Sequence, residues 1–138
     1  MTDNTPPVPS VVKTILAVVV FTLFCYCVIG LQMAVTPLFV REKLGFNSAI
    51  AGFAVSVQYL ATFATRAGAG HRIDHKGPKY VVLVGLYAGI ACGVLIAASA
   101  YLTHWPVLAL LCVLAGRITL GFAESWVATA VIVWNIRR

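Results

Sequence analysis

Two stretches of the chain hold the residues whose types and spacing could do chemistry. In Leu114–Ser125, Arg117, Gly121 and Glu124 recur at i, i+4 and i+7, which places them on one face of a helix. An arginine set within apolar sequence at membrane depth costs several kcal/mol unless it is paired or hydrated, on the order of 3 kcal/mol or more. Direct pairing with Glu124 would stretch both side chains, because i+7 lies about 10 Å along the helix axis. The expectation is that Arg117 faces a water-filled cavity and that Glu124 exchanges protons there; a structural intrahelical ion pair is the plainer reading. The second stretch is Gly70-His71-Arg72-Ile73-Asp74-His75-Lys76-Gly77-Pro78-Lys79. Asp74 is its single acid among several bases. It can pair with Arg66, Arg72 or Lys79, or sit at a helix N-terminus, and the glycines suit a sharp turn and close helix approach. An ordinary basic turn would need no such aspartate.

Other reactive side chains form no pattern. Cys25, Cys27, Cys92 and Cys112 lie inside apolar runs without CxxC spacing, and His71, His75 and His104 complete no ligand set with them. No metal site, cofactor cradle, nucleophile–base pair or paired carboxylate is expected, and therefore no enzyme. Gln32, Gln58 and Tyr59 are polar groups in or near the apolar runs, suited to bonding between helices or to lining a cavity.

The elements that must position these groups follow from composition. The chain has 138 residues, 61% hydrophobic and only 10% charged, with a mean hydropathy of +0.95. Soluble domains carry about a quarter charged residues. A bilayer crossing takes about 20 apolar residues, so the chain reads as an all-α membrane protein with four transmembrane helices, at about 14–33, 49–67, 80–102 and 107–134. Residues 1–12, rich in proline, read as a disordered tail, and 13–138 as the membrane domain. Asn47 or Ser48 is suited to cap the second helix. Gly68 to Lys79 reads as a compact polar loop and Thr103-His104-Trp105-Pro106 as a tight turn. The net charge of +6 is a topology signal. Lys13, the cluster Arg66, Arg72, Lys76 and Lys79, and the pair Arg137 and Arg138 all fall on one side, which the positive-inside rule makes cytoplasmic. The nucleic-acid partner that such basicity suggests in a soluble protein is set aside.

Together the two stretches resemble signatures of the major facilitator superfamily. Its loop between helices 2 and 3 carries G-x-x-x-D-R-x-G-R-K, and Gly70, Asp74, Gly77 and Lys79 occupy the first, fifth, eighth and tenth positions, whereas Arg72, His75 and Pro78 depart from the pattern. Its helix 4 signature is an arginine with a glycine four residues on, as in Arg117 and Gly121. Leu44-Gly45-Phe46, Gly77-Pro78-Lys79 and Glu124-Ser125 look like a bacterial efflux-type subgroup. The resemblance implies that the chain is the first part of the N-terminal six-helix bundle. Gly70, Asp74, Gly77 and Lys79 would then belong to a cytoplasmic gating loop, while Arg117, Gly121 and Glu124 would serve the cavity and proton coupling. It implies a small-molecule substrate and proton-coupled transport in a bacterial inner membrane, both termini being cytoplasmic, with C-terminal helices of the same transporter missing and the fragment inactive alone. The alternatives are a dimeric small multidrug exporter, disfavoured because 14–31 holds no acid, and a small four-helix membrane subunit.

Overall fold

The computed structural model describes residues 8–136, with the side chains of residues 8–11 and 135 left aside. No strand occurs among the described residues. Helices run over Val8–Leu38 (α1), Ser48–Lys76 (α2), Pro78–Tyr101 (α3) and Pro106–Ile136 (α4), and a π-helical turn over Phe39–Lys43 follows α1. Four spans of 24 to 32 residues are long and apolar enough to cross a membrane. At 1.5 Å per residue they measure about 36 to 48 Å, more than the ~30 Å hydrocarbon core. The chain divides into two compact units, residues 1–35 and 36–138.

The first unit is the body of α1, which shows large apolar side chains such as Phe24 and Leu31 on its surface. The helix begins earlier than the expected 14, so 8–12 are helical and only 1–7 of the expected tail fall outside the described residues. It also outlasts the expected end at 33. Pro37 sits in its last turn, where its missing N–H costs one bond of the ladder. The chain then widens into the π-helical turn, closed by Leu44 N–H donating to Phe39 O at 3.2 Å.

In the second unit α4 packs along both α2 and α3, which touch each other little. Contacts between α2 and α4 advance together, from Ala51 and Ala54 with Val113 to Ala69 and Ile73 with Trp126 and Ala130, so the two helices run parallel. The α3 contacts run the other way, from Gly85 against Val127 to Ile96 against Gly116. Many of the buried side chains are small or polar, among them alanines 51, 54, 69, 109, 123 and 130, Ser99, Ser125, Gln58 and Arg117, beside larger apolar ones such as Ile73, Val81, Val113 and Trp126. Many large apolar side chains face outward, Phe63 at 85% and Tyr101 at 86% exposed. That inversion suits a lipid solvent, in which apolar surface gains nothing by hiding and small residues let helices approach.

Two boundaries follow local chemistry. Asn47, in extended backbone, accepts from Ile50 N–H at 3.0 Å and caps α2, one of the two caps expected. The loop expected at Gly68–Lys79 is instead helical through Lys76, and the turn into α3 is one residue, Gly77, at φ +82°. Ala69 and Ile73, one turn apart, are both buried with Val81, Trp126 and Ala130. This apolar stripe carries the helix through two glycines that each cost about 1 kcal/mol. Pro78 then opens α3 at a position that has no need of its N–H.

Candidate functional site

The centre of the second unit lies between its two apolar clusters, one at each end. Arg117 sits about 16 Å into α4, a depth set by the eleven residues that separate it from Pro106. Its side chain is fully buried, at 0% exposure. None of Nε, Nη1 and Nη2 has a hydrogen-bond partner. It lies within electrostatic reach of Tyr59 on α2, Cys92 on α3 and Glu124 on its own helix. The intrahelical bond between Arg117 and Glu124 is therefore not made.

Glu124 is instead held from α2: Gln58 Nε2 donates to its Oε2 at 3.0 Å. Gln58 is also fully buried, and its Oε1 has no partner. At Gly121, one turn before Glu124, α2 and α4 come into close contact. A Cβ there would collide with the Gln58 carbonyl oxygen and stand 3.0 Å from both Ala61 Cβ and Thr62 Oγ1. The Thr62 hydroxyl shares its proton between Gln58 O at 3.0 Å and Gly121 O at 3.1 Å. Backbone contact and a shared hydroxyl thus fix the register in which Gln58 meets Glu124.

Of the residues singled out by the sequence, Arg117, Gly121, Glu124 and Gln58 are brought together here. Tyr59, next to Gln58, is 48% exposed. Gln32 lies on α1, in the other unit. Thr62 was not singled out, and Ser125 entered only as part of the Glu124-Ser125 string of the family resemblance, with no role of its own. Thr62 stands one turn from Gln58, the signal that could have found it, while Ser125 is buried with a hydroxyl that has no hydrogen-bond partner.

The second stretch gathers at the other end of α2. Gly70 and Asp74 are on the helix, Gly77 forms the turn, and Lys79 lies in the first turn of α3. Asp74 is in the last turn of α2, not at the helix N-terminus that its charge would favour. A Cβ on Gly70 would meet nothing within 4 Å, so close helix approach is not its role. Around these residues the bases lie over aromatic rings: the Arg72 guanidinium 5.0 Å from the Trp126 ring centre and the Lys76 ammonium 4.9 Å from that of Tyr80. Such contacts are worth ~0.5–2 kcal/mol, and the first ties α2 to α4. No cluster of His, Cys, Asp or Glu suited to a metal occurs among the described residues.

Apolar helices packed through small residues around a buried polar layer define a membrane protein of the polytopic helical class. The chain is 44% identical, over 99% of its length, to an "Uncharacterized MFS-type transporter" of Burkholderia pseudomallei. It is equally similar to one of Burkholderia mallei, and 43% identical over 94% of its length to one of Pseudomonas aeruginosa. The resemblance to the major facilitator superfamily is thus shown along nearly the whole chain. The chain spans about a third of the length of these relatives, 34% for the two Burkholderia proteins and 32% for the Pseudomonas protein. No family model matches the chain, and no solved structure does.

Proposed function

We propose that this chain is the N-terminal part of a secondary transporter of a bacterial inner membrane, which exports a small molecule in exchange for protons. Relatives named as transporters over 99% of the chain support the class. The observation that carries the site is Arg117, a fully buried guanidinium with no hydrogen-bond partner on a span otherwise apolar at that depth. A charge kept there at such cost is held for function. Arg117 supplies a fixed positive charge to the cavity wall and Glu124 takes up and releases the proton. Gly121 sets the α2–α4 spacing that both depend on. Gly70, Asp74, Gly77 and Lys79 form the cytoplasmic gate, and the bases around them set both termini in the cytoplasm. Tyr59, within electrostatic reach of Arg117, is a further polar group for the cavity wall.

Transport on this reading needs the rest of the length that the relatives have and this chain does not match. The test is a chimera in which this chain replaces the matching third of the Burkholderia pseudomallei relative, reconstituted in proteoliposomes beside the chain alone. The chimera should carry a saturable flux driven by a proton gradient, and the chain alone none. Saturable proton-coupled flux by the chain alone, or a chimera whose flux ignores the gradient, would contradict the proposal.

A further inference from the structure

The polar layer contains one side chain whose job the coupling scheme above leaves open, that of Gln58. Its backbone is clamped against α4 through the Thr62 hydroxyl and the close approach of Gly121, so the side chain has a fixed origin. Its amide is fully buried, with one end committed and one end unpartnered: Nε2 donates to Glu124 Oε2, while Oε1 accepts nothing. An ionised carboxylate only accepts, so it requires the NH2 end of an amide. A protonated carboxyl also donates, and its O–H requires the carbonyl end. The two ends of a glutamine amide exchange by a half turn about its last side-chain bond, with no movement of the backbone.

We infer that Gln58 is the positioning residue for Glu124. It presents its NH2 to the ionised carboxylate, turns its carbonyl to the protonated acid, and so keeps the α2–α4 bond in both states. Arg117, on the same helix, lies within electrostatic reach of Glu124, and of Tyr59 on α2 and Cys92 on α3 as well. Arg117 can only donate, and Gln58 is the side chain that is hydrogen-bonded to the Glu124 carboxylate. The inference rests on the reading of Glu124 as the proton carrier, but it concerns a different atom and can fail separately.

The sequence makes a direct test practical. Gln32 and Gln58 are its two glutamines, and Glu42 and Glu124 its two glutamates. The chain, labelled with 15N-glutamine and 13C-glutamate and embedded in lipid bilayers, would be followed by solid-state NMR across pH, with Gln32→Asn and Glu42→Asp assigning the signals. The expected result is that the Gln58 side-chain nitrogen signal moves in step with the Glu124 carboxyl signal and becomes independent of pH in Glu124→Gln. A Gln58 signal that stays constant while Glu124 titrates would overturn the inference and leave the proton carrier standing. A Gln58 signal that moves equally in Glu124→Gln would overturn it too. A Glu124 carboxyl that never titrates would remove the carrier and the inference together.

Discussion

Arg117 separates stability from function at a single position. Its guanidinium is buried without a hydrogen-bond partner, so it costs the fold energy that an apolar side chain would not. Replacing buried charges with apolar groups of similar volume is often neutral or stabilising, by about 1–4 kcal/mol. Arg117→Leu should therefore leave the thermal unfolding midpoint of the detergent-solubilised chain unchanged or higher, while cutting proton-driven flux in the chimera at least tenfold. A midpoint several degrees lower would make Arg117 a structural residue. Thr62 is the opposite case, a side chain that fastens two helices. Thr62→Val should lower stability by about 0.6–1.7 kcal/mol, the range of interhelical hydrogen bonds in membranes, measured by the same unfolding. The shared face of Arg117, Gly121 and Glu124 was legible from spacing alone. The partner of Glu124 was not, because Gln58 is 66 residues away and meets it only through the packing of α2 on α4.

Among the elements, α2 shows most plainly what a sequence pattern hides. Glycines 68, 70 and 77 with the charges around them read as a loop, but Gly77 alone breaks the helix. The burial of Ala69 and Ile73 against α3 and α4 outweighs the propensity cost of the other two. The cap at Asn47 was legible because it depends on a side chain three residues from its donor, a purely local matter. The same distinction predicts which glycines tolerate a methyl group. Gly121→Ala drives a Cβ into the Gln58 carbonyl and should cost about 1–3 kcal/mol. Gly93→Ala on α3 meets nothing within 4 Å and should be neutral or stabilising by up to ~1 kcal/mol. Unfolding of the two variants side by side in one detergent checks this. Equal midpoints would mean that α2 and α4 do not approach through Gly121.

For the whole molecule, the signature is many large apolar side chains outside and many small or polar ones within. The hydropathy that marks four spans is a property of composition, which is why the membrane class was legible before any contact was known. On the proposed orientation, set by charge, Lys79 faces the cytoplasm. In cells expressing a variant free of Cys25, Cys27, Cys92 and Cys112, Lys79→Cys should resist a membrane-impermeant maleimide until the membrane is opened. His104→Cys, in the turn between α3 and α4, should react at once, and the reverse pattern would invert the orientation. The central claim, that the buried layer couples protons to transport, is met most directly by proton flux through the chimera in proteoliposomes carrying a pH-sensitive dye. Substrate should drive proton movement in the chimera with the native layer, and Glu124→Gln and Arg117→Ala should each abolish it. Undiminished proton movement in both variants would contradict the account.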